Sequence, residues 1–486
     1  MKNKKNGFTL IELLAVIIVL AIIALIATPI IFNVIENAKI KSLENSCYGV
    51  IDAVRTKYAE ELLNLNKITN GNVNELTVSG EKPIDGTWTI DNSKDSEQRG
   101  IKIDNVRFSS MKDYACSNDL ETGKVSCKKT YKDNSSANTP ILFKNMVPIK
   151  YENNKWIIAD LGQKWYDYDA KEWANAVVLN SGVTKNVGDE VTEEEISLWY
   201  VWIPRYKYTI FNGNNGSAAA QLINVTFESG VSITGTVTCT DNADGSETCS
   251  TITNGTSTYT HPAFKFGNTE LTGFWVGKFE ISTTDSTCNS SASRTNCNKV
   301  LTMSIKPNVS SWRYATISNH FTSIQNARTT YGINNADSHM MKNMEWGAVA
   351  YLKQSKYGLG TTDIAVNTNS SYYTGGGTSD AYKTNVTQST TGNIYGVYDM
   401  SGGAWERVMG NMKNSSNAFY SSNAGFTTAP DAKYYDSYKY DSSSNKTHAR
   451  GKLGDATKET LATFGSNTGG WYSDYASFPY SSSPWF

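Results

Sequence analysis

The chain is 486 residues long and nearly neutral, with 45 Lys and Arg against 46 Asp and Glu and a formal net charge of −1. This length exceeds one ordinary domain. The charge balance and the lack of a block of Lys or Arg exclude the electrostatic footprint of a nucleic-acid-binding protein. The 28 Tyr, 12 Trp and 37 Gly residues are typical of loop-rich extracellular β domains or of binding surfaces, although the tyrosines fit ordinary strands equally well.

The N-terminus combines a short basic leader with a long apolar run. Lys2, Lys4 and Lys5 precede Gly7, and residues 13–32 carry no charge. As a helix this run spans roughly 30 Å, the thickness of the hydrocarbon core of a bilayer. An ordinary secretory signal peptide has its small cleavage residue after the apolar run, whereas Gly7 lies before it. The sequence therefore predicts a retained membrane helix with its lysines on the cytoplasmic side.

The segment Gly-Phe-Thr-Leu-Ile-Glu at residues 7–12 resembles the class III leader of type IV pilins and pseudopilins. The resemblance implies that a prepilin peptidase cuts between Gly7 and Phe8 and methylates the new amine. It also implies that Glu12 pairs with the Phe8 amine of a neighbouring pilin subunit, because an unpaired carboxylate in hydrocarbon is costly. A plain membrane anchor with an incidental Glu12 is the alternative.

A second apolar pattern continues this helix. Apolar residues recur at three- and four-residue spacing from Leu43 to Leu65, opposite a charged face. After a leader at residues 1–7, we predict a helix over residues 8–68, of which 8–32 cross the membrane, continuous or kinked near Pro29. Cys47 lies on the apolar stripe, and we interpret it as a small core residue rather than a reactive thiol.

Strand-like alternation follows in residues 69–132 and predicts a small antiparallel β head resembling that of a pilin, with a polar linker over 133–141. Six cysteines form closely spaced pairs outside the membrane and predict local disulfides. No pair has the spacing of a zinc ligand pair and no His lies beside one, which disfavours a metal. The predicted bonds are Cys116–Cys127, Cys239–Cys249 and Cys288–Cys297.

Three segments of the remaining chain resemble the formylglycine-generating family, which has a C-type-lectin-like fold. They are Phe-Trp-Val-Gly-Lys-Phe-Glu-Ile at 274–281, Met-Glu-Trp-Gly-Ala-Val-Ala-Tyr at 344–351, and Gly-Val-Tyr-Asp-Met-Ser-Gly-Gly-Ala-Trp-Glu at 396–406. The resemblance implies a loop-rich lectin-like α+β domain over 142–486, and thus an α+β chain overall. The closing strands of that fold would begin near residue 486. The family's oxidase binds copper with two late cysteines, and since no Cys follows Cys297, we predict no enzyme activity.

The third segment also predicts a possible calcium site. Carried over from the family, the Ca²⁺ ligands would be Asp399, the carbonyls of Gly402 and Ala404, and Glu406, and oxygen ligands of this kind suit Ca²⁺. The alternative is a structural turn without metal, with Trp405 in the core.

Other chemical motifs are weak. Residues 241–247 resemble a calcium loop superficially but lack EF-hand spacing, so we predict a hairpin turn there. No nucleophile elbow, Gly-rich phosphate loop or catalytic carboxylate pair is visible. The histidines match no metal or triad spacing, and we place them at the surface or core edge: His261, His320, His339 and His448.

Together these patterns favour a pilin-like subunit, minor or at the tip of a pilus, that displays a lectin-like domain for adhesion. We expect it in the cytoplasmic membrane before assembly and at the cell surface afterwards. Its extracellular ligand would be a glycan or a protein. The alternatives are a pseudopilin of a secretion or DNA-uptake machine and, against the missing cysteines, a formylglycine-type enzyme.

The leader generates the first prediction. Mass spectrometry of the mature protein from its native host is expected to show a chain that begins at N-methyl-Phe8. Gly7→Val is expected to abolish cleavage because the peptidase needs a small residue at this position. An intact Met1 terminus in mature surface protein would refute the pilin interpretation.

Overall fold

The computed structural model describes residues 10–63, 68–91, 100–211, 221–289, 295–421, 424–440 and 451–459. The chain divides into two compact units. The first comprises residues 1–68 and 73–128, and the second comprises residues 69–72 and 129–486. With a long N-terminal helix followed by many small, mostly antiparallel sheets, the chain is α+β.

The first unit is built on one helix, α1 (Leu10–Leu63), whose 54 residues correspond to about 80 Å of helix. Its C-terminal half carries the predicted apolar stripe: Leu43, Cys47, Val50 and Val54 are buried. They pack against apolar side chains of the head that include Trp88, Ile103, Val106 and Phe108. The amphipathic prediction is therefore confirmed over this half.

The N-terminal part of α1 differs from the stripe, because its described side chains are exposed from Leu10 to Leu20 and again from Ile31 to Ile35. Among the residues that the structure describes, no helix is long and apolar enough to cross a membrane. The side chains of Glu12 and of residues 21–30, including Pro29, lie outside the described set, as do residues 1–9 and 64–67.

The head is antiparallel, as predicted. Its strands are neighbours in the order Pro83–Ile90, Ile101–Phe108, Tyr114–Asn118 and Val125–Lys129. Trp88 lies opposite Ile103, and Val106 lies opposite Cys116, so the apolar faces of successive strands meet over α1.

All three predicted disulfides are present. Cys116–Cys127, Cys239–Cys249 and Cys288–Cys297 have Cα–Cα distances of 4.0, 4.0 and 5.6 Å, and Cys47 is free and buried. The second bond joins the directly opposed ends of a hairpin, with Asp241 opposite Glu247. The acidic segment 241–247 is therefore the hairpin turn that the sequence predicts.

The second unit is organised around a five-stranded antiparallel sheet. Its strand order is Gly273–Gly277, Ile196–Pro204, Asn175–Leu179, Met146–Glu152 and Lys155–Ile158. Two longer helices accompany it, α2 (Ile317–Thr330) and α3 (Asn343–Lys353), and two single-turn helices follow, α4 (Ala381–Thr384) and α5 (Ala456–Glu459). The segment 344–351, which resembles the formylglycine-generating family, lies within α3.

Short strands complete this unit. Tyr206–Thr209 pairs with Val225–Phe227 and Thr258–Thr260. The remaining two-stranded pairs are Cys239–Asp241 with Glu247–Cys249, Lys265–Phe266 with Thr269–Glu270, Ser282–Thr283 with Met303–Ser304, and the parallel pair Gly410–Met412 with Asp436–Tyr438. Asn70–Asn72 also belongs to this unit.

One sequence expectation differs from the fold. Residues 133–141, expected as a linker, pack into the second unit, where Ala137 is fully buried and Asn138 Nδ2 donates to the carbonyls of Gly230 and Thr272 at 2.9 Å. Their polar side chains form hydrogen bonds with buried backbone groups, and composition alone cannot distinguish such residues from solvated ones.

Many aromatic residues are core residues rather than surface residues, including Tyr166, Tyr168, Tyr206, Tyr208 and Tyr351.

Candidate functional site

The processing site lies outside the described residues. The structure describes the chain from Leu10 onward, so the placement of Gly7 and Phe8 rests on the sequence alone, as does that of the Glu12 side chain.

The turn at residues 399–404 has a backbone that only specific residues can adopt. Asp399, Gly402 and Gly403 have φ values of 60°, 81° and 70°. A Cβ on Gly402 would lie 2.4 Å from the carbonyl oxygen of Asn367, and one on Gly403 would lie 2.8 Å from Glu280 Oε1. The two glycines therefore allow the turn to approach both a neighbouring backbone and a carboxylate.

Asp399 lies beneath this turn and is buried. Its carboxylate accepts hydrogen bonds from Asn367 Nδ2 at 3.0 Å, from Gly375 N at 3.0 and 3.1 Å, and from Glu280 N at 3.4 Å. Burial raises the pKa of Asp399 to about 6, because the loss of water destabilises the charged carboxylate more than these hydrogen bonds stabilise it.

Glu280 is a second carboxylate at the same place, and the sequence analysis did not assign it a role. Its Oε1 accepts from Ala404 N at 3.0 Å, and its Oε2 accepts from Ser311 Oγ. Loss of water, followed by the charges of Asp399 and Glu406, raises the pKa of Glu280 well above its usual value. The available signal was its position in the 274–281 segment, where it is the one acidic residue.

Glu406 lies at the exposed rim and accepts from Trp346 Nε1 of α3 at 2.9 Å. Of the four predicted ligands, Asp399 and Ala404 are thus hydrogen-bonded to Glu280. The charge of Glu406 acts on the carboxylate of the same residue. Within the described residues, the groups of three or more His, Cys, Asp or Glu with ligand atoms within 4.8 Å are Cys47/Cys116/Cys127 and Cys239/Glu247/Cys249. The carboxylate oxygens of Asp399, Glu280 and Glu406 therefore do not all lie within 4.8 Å of one another.

One alternative for this turn places Trp405 in the core. Its side chain is 85% exposed, so the predicted placement of Trp405 in the core is wrong, whereas the structural turn without metal stays an alternative. Asp399, before the Gly402–Gly403 turn, is buried, while Trp405, two residues after Gly403, faces solvent.

Of the histidines, His261 is buried rather than at the core edge, and burial lowers its pKa to about 3. His339 Nε2 contacts Glu345 Oε1 at 3.1 Å. His320 packs against Trp312 with ring centroids 4.4 Å apart, and His448 lies outside the described residues.

Comparison with known proteins agrees with the prepilin interpretation of the N-terminus. Residues 2–28 match the prokaryotic N-terminal methylation motif, so the chain is of the prepilin class. It is 32% identical over 116 residues to prepilin peptidase-dependent protein A of Clostridium perfringens, an alignment that covers 22% of this chain and 83% of the relative. The chain therefore belongs to the family of prepilin peptidase-dependent proteins. No solved structure matches it.

The buried carboxylates generate a prediction about pH. Because the native pKa of Asp399 is about 6 and its ordinary value is 3.8, the native state binds more protons than the unfolded state between these values. Stability from this group is therefore expected to fall as the pH rises from about 4 to about 6, by up to about 3 kcal/mol. The check is the melting temperature of the wild type and of Asp399→Asn across this range.

Asn tolerates a positive φ and removes the titration, so the variant is expected to show a flatter profile than the wild type. Glu152→Gln, at an exposed carboxylate of the same unit, is the control and is expected to leave the profile unchanged. Parallel profiles for the wild type and Asp399→Asn would contradict the prediction.

Proposed function

We propose that this protein is a pilin-like subunit that displays its second unit at the cell surface as a ligand-binding domain for adhesion. The observation that carries the proposal is the joining of a prepilin N-terminus to a unit that extends from residue 129 to 486. A unit of this size would hinder packing along a fibre shaft, which favours a minor or tip position. The same observation favours a non-enzymatic, presenting role.

The exposed apolar part of α1 supports assembly with other subunits. The described side chains between Leu10 and Leu20, which exclude that of Glu12, are apolar and exposed, with exposures that include 84% for Leu10 and 58% for Leu20. Surfaces of this kind are usually covered by a partner or a membrane. We propose the helices of other pilin subunits as the partner in the fibre and prepilin peptidase as the processing partner.

Contacts among three segments support the lectin-like interpretation of the second unit. Lys278, from the first segment, donates to the carbonyls of Ile394 and Gly396 at 2.7 and 2.9 Å. Trp346 of α3 donates to Glu406, and Glu280 accepts from Ala404. The three segments that resemble the formylglycine-generating family thus pack against one another, as segments of one domain would.

Display is tested in the native host by immunogold labelling with an antibody to residues 142–486 and by adhesion assays. Gold is expected at the surface or at fibre tips, and a chain that ends after Lys128 is expected to be processed but to lose adhesion. The full-length chain, restored to the same strain, is the control. Gold confined to the cytoplasmic membrane would instead favour the pseudopilin alternative.

We also propose that calcium binds at the Asp399 turn. The donor set fits in kind, because carboxylates and backbone carbonyls are the ligands that Ca²⁺ prefers, and a cation would relieve the repulsion that raises the pKa of Glu280. The ligands would be Asp399, the carbonyls of Gly402 and Ala404, and Glu406, with Glu280 beside them.

The calcium proposal predicts that excess Ca²⁺ raises the melting temperature of the full chain by a few degrees relative to chelator. The shift is expected to be larger at pH 7.5 than at pH 5, since protons compete for the same carboxylates. Glu406→Gln is expected to reduce the shift, and Glu152→Gln to leave it unchanged. Equal melts with and without calcium at both pH values would exclude the site.

A further inference from the structure

We propose that Trp405, Tyr314 and Arg313 form a binding site for a pyranose ring of a glycan. This inference rests on the proposed function and names its ligand class and its site. Among the described residues of the second unit, Trp405 and Tyr314 are the exposed aromatic side chains, at 85% and 54%. Both belong to loops attached to the carboxylate of Glu280.

The attachment brings the two loops together. Ala404, which precedes Trp405, donates its N–H to Glu280 Oε1 at 3.0 Å. Ser311, three residues before Tyr314, donates its hydroxyl to Glu280 Oε2. Hydrogen bonds to the two oxygens of one carboxylate therefore hold both loops in place close to Trp405 and Tyr314.

Arg313 supplies a donor beside the ring of Tyr314. Its guanidinium carbon lies 3.9 Å from the ring centroid of Tyr372 and 5.4 Å from that of Tyr314. Tyr372 is itself held, because its carbonyl accepts from Ser311 N at 2.9 Å. A stacked guanidinium keeps its orientation and presents N–H groups in a defined direction.

The backbone around this surface is strained. Tyr314 and Tyr372 have φ values of 67° and 58°, which bulky residues rarely adopt. Strain of this kind persists where surrounding contacts determine the loop, and it concentrates at ligand clamps. Here it accompanies two tyrosines whose rings both lie close to the Arg313 guanidinium.

The size and chemistry of the surface favour a saccharide over a protein. Each aromatic ring offers about 150–250 Å², so two rings fall well below the roughly 800 Å² that a stable protein interface needs from each partner. A pyranose presents a flat C–H face that can pack on an indole and hydroxyl groups that both donate and accept. The exposed Glu406 carboxylate, next to Trp405, accepts from such hydroxyls, and Arg313 donates to them.

The test uses the full chain, purified in detergent, on an array of immobilised oligosaccharides that end in neutral hexoses, N-acetylhexosamines or sialic acid. The strongest sugar is then titrated in solution by calorimetry. Trp405→Ala and Tyr314→Asn are each expected to weaken binding at least tenfold, and Trp405→Phe to retain most of it because a ring remains. Asn at position 314 keeps a residue that tolerates the positive φ.

Ile233→Ala, at another exposed apolar side chain of the same unit, is the matched control and is expected to bind like the wild type. Melting curves establish that each variant is folded. The absence of binding to the array, or equal affinity of the wild type and Trp405→Ala, would overturn the inference.

The failure of the inference and that of the proposed function are distinguishable. If cells with the wild-type chain adhere but the purified chain binds no sugar, the glycan inference is refuted and the adhesive function stands. If the purified chain binds sugar through Trp405 but the cells do not display it, the site stands and the proposed function is refuted.

Discussion

The arrangement of the second unit's loops depends on two carboxylates, Glu280 and Asp399, that share one largely water-excluded space. Asp399 accepts hydrogen bonds from Asn367, Gly375 and the backbone of Glu280, and Glu280 accepts from Ser311 and Ala404. Four segments far apart in sequence are thereby joined at one point. Removing the Asp399 carboxylate would take this acceptor from the N–H groups of Glu280 and Gly375, and removing that of Glu280 would take it from Ala404 N–H and the Ser311 hydroxyl. An unpaired buried donor costs free energy.

A contrast within the same unit shows how unusual this pair is. The buried Arg205 lies 3.1 Å from Glu228 and 2.8 Å from Glu270, so burial of these charges is offset by opposite charge. Glu280 instead lies near two further carboxylates, and loss of water, followed by the charges of these carboxylates, raises its pKa. Groups held in such repulsive settings concentrate at functional sites. The proposals for calcium and for a saccharide both begin from this difference.

The two units also differ in what is known from comparison. The prepilin motif occupies residues 2–28, and the C. perfringens relative aligns with 22% of the chain. The second unit is the larger, and its proposed role rests on its own contacts. Separate cores allow such a division, since the cluster around Trp88 and Cys47 in the first unit is distinct from the clusters around Trp202 and Trp199 in the second.

The sequence by itself determined the features whose causes are local. The leader motif spans six residues, the stripe of α1 repeats every three or four, and each disulfide joins cysteines 9 to 11 positions apart. Tertiary structure alone decided that residues 133–141 pack into the second unit, that Trp405 is exposed, and that Glu280 meets Asp399 and Ala404 across 119 and 124 residues. Periodicity and spacing report neighbours along the chain, whereas these contacts arise from loops that irregular backbone brings together.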